Sequence, residues 1–133
     1  MENYINLLKS HNLKATVQRT AILKSIHKAG HISVEDIYDD IKHQYPTISL
    51  ATIYKNIIVM LEHSVILEVP INGQKSKYEL KKNDHIHTIC RVCGKIKDVK
   101  LTQERRELLN IKNFNIKYAQ INLYGICKKC QLQ

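Results

Sequence analysis

Two Cys-x-x-Cys pairs, Cys90/Cys93 and Cys127/Cys130, constrain this 133-residue chain more than any other feature. They fall within the last 50 residues, 84–133, too few to hold a fold by hydrophobic burial without a staple. Each pair is a tight turn that aims two sulfurs at one ion, and Gly94 after Cys93 permits the turn's unusual backbone. Two such turns make a closed, tetrahedral four-thiolate zinc site. The 33 residues between Cys93 and Cys127 exceed the spacing of a minimal zinc ribbon. They leave room for a strand over 95–101, a helix from Thr102 and a second strand over 115–123. Zinc binding of this kind is worth roughly 10–16 kcal/mol in small modules, so losing one sulfur should unfold the segment rather than weaken it. The rival use of these pairs is a zinc or thiol–disulfide enzyme. A redox pair needs a reactive Cys-x-x-Cys at a helix N-terminus in a βαβ unit, and neither pair has those surroundings.

The rest of the composition is that of a globular chain, 44% apolar with only four Gly and two Pro. Its longest wholly apolar run, residues 57–61, is far short of the about 20 residues that span a bilayer. The opening MENYINLLKSHNLK lacks the basic-then-apolar order of a secretion signal. A soluble, cytoplasmic protein with no membrane partner is expected, one in which paired cysteines serve metal before disulfides. Lys plus Arg number 21 against 12 Asp plus Glu. The excess is +3 over residues 1–83 and +6 over 84–133. It favours a polyanionic partner, because each phosphate neutralised releases counterions.

The first half reads as a string of short helices. Residues 2–10 suggest one with Ile5 and Leu7 or Leu8 inward, and Thr16 caps another over 16–28. Ser33 and Asp36 form a capping box before 33–44, where Val34, Ile37, Tyr38, Ile41 and Tyr45 recur at helical spacing. Pro46 stops that helix, and Ser49 caps the next, 50–63, with an apolar stripe of Leu50, Ile53, Ile57, Met60 and Leu61. Thr52, Lys55, Asn56 and Val59 face away from it, with Tyr54 at its edge. Two helices joined by a short turn fit a helix-turn-helix, although a solvated face on a three-helix bundle fits equally well at this point. The next stretch of chain tips the balance toward DNA. Residues 65–69 are β-branched and apolar, Asn72-Gly73 is a turn signal, and 75–80 can pair back. Three helices and a hairpin make a winged helix, with Lys75 and Lys77 suited to the phosphate backbone.

His85 and His87, two apart on an expected strand over 86–91, send both imidazoles to one face. Alone, such a pair is as compatible with surface histidines as with metal. Flanking strands can bring Glu79 and Asp98 near, and imidazole nitrogen with carboxylate oxygen suits iron(II), manganese(II) or zinc. The H-x-E pattern of the zinc deaminases is absent.

Taken together, KATVQR, SLATIYKN, HIHTICRVCGK and LYGICKKC resemble the ferric uptake regulator (Fur) superfamily along nearly the whole chain. The resemblance implies an α+β protein: a winged helix-turn-helix domain over 1–80, a linker at 81–83, and a zinc-stapled α/β dimerisation domain over 84–133. It implies a homodimeric, metal-dependent repressor, not an enzyme, which binds double-stranded DNA at an A·T-rich inverted repeat. Cys90, Cys93, Cys127 and Cys130 match the family's structural zinc ligands. His31, Glu79, His85, His87 and Asp98 match its regulatory site for Fe2+ or Mn2+; by itself His31 reads only as a loop or capping residue. Arg19, Ser49, Thr52, Tyr54, Lys55, Asn56, Lys75 and Lys77 are the expected DNA contacts.

Within the family, Asp98 resembles the peroxide-stress (PerR-like) branch, where the iron-uptake branch usually has Glu. The additional site of the iron-uptake branch is expected to be missing, since Asp84-His85-Ile86-His87 and Ala119 stand at its positions. That likeness implies that His31 and His85 are oxidised when bound iron(II) meets hydrogen peroxide, a one-use release of DNA. An iron- or zinc-uptake repressor is the alternative. Thr16-Val17-Gln18-Arg19 lacks the proline of the family's usual T-P-Q-R, although Arg19 remains a candidate phosphate contact.

Overall fold

The computed structural model describes residues 3–132, and the chain divides into two compact units, Met1–Lys81 and Lys82–Gln133. The first runs α1 (Tyr4–Ser10), α2 (Val17–Ala29), α3 (Val34–Ile41), α4 (Leu50–Glu62), β1 (Ile66–Val69) and β2 (Lys77–Leu80). All four helices open alike. The side chains of Asn3, Thr16, Ser33 and Ser49 accept the backbone N–H of Asn6, Arg19, Asp36 and Thr52. Each bond satisfies an amide that the helix itself cannot, worth about 1 kcal/mol.

The core of this unit is aliphatic. Leu8, Ile22, Leu23, Ile26, Ile37, Ile53, Ile57, Met60 and Ile66 are all essentially inaccessible, and Tyr38, Tyr45, Val59 and Leu61 pack at its margin. Three expectations fail here. Ile5 is 49% exposed and Leu50 is 37% exposed, because each lies at the start of its helix, outside the buried stripe. Val59, expected outside, is half-buried. Helix α3 ends at Ile41 rather than at 44, and Gln44 and Tyr45 both donate their amides to the Ile41 carbonyl. Pro46 has no N–H to offer the Lys42 carbonyl, so the helix has no reason to run up to it.

Strands β1 and β2 pair antiparallel from Ile66↔Leu80 to Val69↔Lys77. Gly73 sits at φ +73° in the connecting turn. One further bridge, Ile32↔Tyr78, ties the α2–α3 loop to β2. Helix-turn-helix plus hairpin is the expected winged helix.

The second unit contains β3 (His85–Cys90), β4 (Ile96–Lys100), α5 (Gln103–Leu108), β5 (Ile121–Gly125) and α6 (Lys128–Gln131). Its sheet has the order β4-β3-β5, with β4 antiparallel and β5 parallel to the central strand. Thr102 caps α5 through the Arg105 amide. The expected strand over 115–123 is mostly absent: only Ile121 onward is extended and paired, and residues 111–118 lie exposed. The ladder explains it. Ile121 already pairs with Ile86, the second residue of β3, so earlier residues have no strand to meet. The α+β class stands. No helix among the described residues is long and apolar enough to cross a membrane.

Candidate metal centres and nucleic-acid interface

The four cysteines converge. Their sulfurs all lie within 4.8 Å of one another, and Cys93 Sγ is 3.8 Å from Cys127 Sγ. A tetrahedron with metal–sulfur bonds of about 2.3 Å has edges of about 3.8 Å, so the cluster fits one zinc ion. Backbone geometry delivers it. The Cys90↔Gly125 pairing and the bond from Arg91 N–H to Gly125 C=O align the two knuckles. Gly94, at φ +78°, closes the first knuckle by donating to Cys90 C=O at 2.9 Å. The amides of Cys127 and Cys93 point at Cys90 Sγ, at 3.3 and 3.5 Å, and bring its thiol down to about 6. Hydrogen bonding to the Cys127 side chain pushes Cys130 up to about 12. One thiolate is favoured while a neighbour is opposed, the conflict that a shared divalent cation removes.

In the first unit, Gly30 ends α2 at φ +82°, a conformation that strains any other side chain, and donates to Ile26 C=O. The chain then passes through His31 into the Ile32↔Tyr78 bridge, held by bonds of 3.2 and 2.8 Å. That bridge sets His31 beside Glu79. His31 Nε2 is 2.9 Å from Glu79 Oε2, with the two side chains 10% and 1% exposed. A carboxylate this buried requires a partner, and here it has an imidazole. Residue spacing alone does not signal a pairing across so many residues; only the family resemblance does.

In the second unit, His85 and His87 lie on one face of β3, their Nε2 atoms 2.9 Å apart. Register places Asp98 of β4 opposite His87. Its Oδ1 is 3.4 Å from His85 Nε2 and 3.6 Å from His87 Nε2, and its other oxygen pairs with Lys82. The expected convergence of Asp98 on the histidine pair is present. Each unit therefore brings imidazole nitrogen together with carboxylate oxygen, a borderline donor with a hard one.

The expected DNA contacts gather around the start of α4, with more internal bonding than the sequence suggests. Arg19 Nε donates to Asn56 Oδ1 at 3.1 Å, and Asn56 Nδ2 donates to Thr52 C=O, so one donor and one acceptor site of this half-buried amide are engaged within the fold. Arg19 also donates to Lys14 C=O. Ser49 and Thr52 share a hydroxyl contact of 2.9 Å, and Lys55 is exposed. In the wing, Lys75 is exposed and Lys77 half-buried. Sequence reasoning missed Glu35, whose carboxylate accepts from Tyr54 OH at 3.1 Å and lies 3.3 Å from Lys75 Nζ. Its own backbone hydrogen bond, then Lys75 and Tyr54, hold it below the usual carboxylate range, and it pushes the Tyr54 phenol up.

A winged helix joined to a small sheet unit with a four-thiolate cluster defines a class, the metal-responsive DNA-binding regulators. Comparison with known proteins narrows the class. The sequence profile of the ferric uptake regulator family matches residues 10–124, and the chain belongs to that family. Its members are dimeric, DNA-binding transcriptional regulators and not enzymes, and this chain is a metal-responsive repressor of that kind. The chain is 33% identical to the peroxide-responsive repressor PerR of Staphylococcus saprophyticus, over 98% of this chain and 91% of that one. The crystal structure of the Campylobacter jejuni peroxide stress regulator is similar at 32% identity and TM-score 0.72, covering 97% of this chain and all of that one. The Vibrio cholerae ferric uptake regulator, at 27% identity, has a TM-score of 0.78 over 94% of this chain and 100% of its own.

Proposed function

We propose that this chain is a peroxide-sensing repressor that binds an A·T-rich inverted repeat as a metal-loaded homodimer in the cytoplasm. His31 and Glu79 from the first unit, with His85, His87 and Asp98 from the second, are the ligands of one regulatory cation, iron(II) or manganese(II). Cys90, Cys93, Cys127 and Cys130 hold zinc. The observation that carries the reading is Asp98, the carboxylate seated against both imidazoles of β3. Its chemistry suits a hard-to-borderline divalent ion, and its identity matches the peroxide-stress branch. The resemblance to peroxide-responsive relatives supports the same reading.

A ligand set drawn from both units makes cation occupancy the determinant of how the two reading heads of a dimer are presented. Half-sites of a palindrome lie about 34 Å apart, so that presentation converts into affinity. Iron(II), when bound, supplies a reaction with hydrogen peroxide that adds one oxygen atom to an imidazole and releases one water. His31 and His85 are the imidazoles offered to it, and an oxidised ring is a poorer donor. The residues that meet DNA are Arg19, Ser49, Thr52, Tyr54, Lys55 and Asn56, with Lys75 and Lys77 along the backbone.

The test is a stoichiometric pulse of peroxide on the iron(II)-loaded protein, followed by peptide mass measurement and operator binding. One added oxygen on the peptides carrying His31 or His85, with DNA released, is the expected result. Unmodified peptides with DNA still held overturn peroxide sensing and leave an uptake-type repressor.

A further inference from the structure

An acid is out of place on a surface that must meet phosphates, yet Glu35 lies on one. It is the second residue of α3, and its carboxylate gathers one group from α4 and one from the wing. The Tyr54 hydroxyl reaches it from α4 at 3.1 Å, and the Lys75 ammonium reaches it from the wing at 3.3 Å. All three side chains remain open to solvent: Glu35 is 34% exposed, Lys75 71% and Tyr54 41%. They are therefore free to be met by a ligand.

We infer that Glu35 is a specificity-determining residue, which secures base reading by fixing Tyr54 and separately limits phosphate binding to any duplex by occupying Lys75. The inference rests on Tyr54 and Lys75 lying on the DNA-reading face. The two actions have different physical signatures. Non-specific affinity is almost wholly electrostatic, so a cation already paired with a carboxylate adds less to it. A solvent-exposed pair is weak enough for a phosphate to displace. The bond to Tyr54 is a charge-assisted one. It commits the phenol proton to Glu35, so the hydroxyl does not donate to any passing phosphate, and it holds the ring in one orientation. That orientation matters only where a particular base is met, so it acts on sequence preference and not on the salt dependence.

The experiment uses the manganese(II)-loaded 133-residue chain. The wild-type protein first selects a duplex from a random-sequence pool, and a scrambled duplex of equal composition serves as reference. Salt slope and the ratio of the two affinities are then measured. Glu35→Ala is expected to steepen the salt slope by about one unit and to lower the affinity ratio about fivefold. Glu35→Gln, which keeps an acceptor for Tyr54 but loses the charge, is expected to steepen the slope while keeping the ratio. Tyr54→Phe is expected to lower the ratio alone, and Glu35→Ala added to it then changes only the slope. Wild-type slope and ratio in a folded Glu35→Ala variant overturn the inference. So does an equal loss of affinity for both duplexes at unchanged slope, which reduces Glu35 to a support of α3. A reading face wrongly assigned has its own signature: Tyr54→Phe and Lys75→Ala both leave DNA binding untouched, and the inference falls with it.

Discussion

The two units of this chain are stabilised on different principles. In the first, an aliphatic cluster runs from Leu8 through Ile26, Ile37 and Ile57 to Ile66, and capped helices wrap it. In the second, the buried apolar side chains among the described residues are Ile86, Ile89, Cys90 and Leu101, beside a buried His87. Large apolar groups there lie outside instead, with Leu108, Phe114, Ile116, Tyr118, Leu123 and Ile126 all exposed. Such a surface on so small a body is the mark of a partner. A reading head must be rigid whatever its ligands. A unit with so small an apolar core depends on its ligands instead.

The sharpest break in this comparison comes from the cysteines. Cys93→Ser, or stripping the structural cation with a chelator, should unfold the second unit, since the loss approaches about 10–16 kcal/mol. Amide exchange should show β3–β5 opening while the α2–α4 amides stay protected. Protection retained in both units would mean that the sheet stands without its staple. Next in size is Ile57→Ala, a large-to-small change at a 1%-exposed site, expected to cost the first unit about 2–5 kcal/mol in denaturant titration. Bound zinc should remain unchanged. Phe114→Ser combined with Leu123→Ser should shift the protein toward monomer in sedimentation at micromolar concentration, with little change in the melting of the first unit. The smallest effect is Ser33→Ala, expected to cost about 1 kcal/mol through the lost bond to the Asp36 amide, read by thermal unfolding.

The same contrast governs how much was legible in the sequence. Caps at Thr16, Ser33, Ser49 and Thr102 are local, so the helices they open could be read directly. Cys-x-x-Cys pairs are local too, and their meeting follows from the need of one ion for four donors. Strands were legible where they alternate and pair nearby. Residues 115–118 also alternate, but their state depends on a register set by β3, which no local pattern encodes. His31 and Glu79 meet only because Ile32 bridges Tyr78; the residue pattern offers Glu79, whereas only the resemblance points to His31. Glu35 escaped notice because its partners come from two other elements.

The parallel register of β3 and β5 also limits how the chain can drift over generations. Cys127 and Cys130 lie just beyond β5, and Cys90 sits opposite Gly125. Deleting one residue within β5 would put the second knuckle out of step with the first and turn its strand over. Insertions between α5 and β5 leave that alignment alone. Changes of length in descendants of this protein should therefore collect in residues 109–120 and spare the five after them.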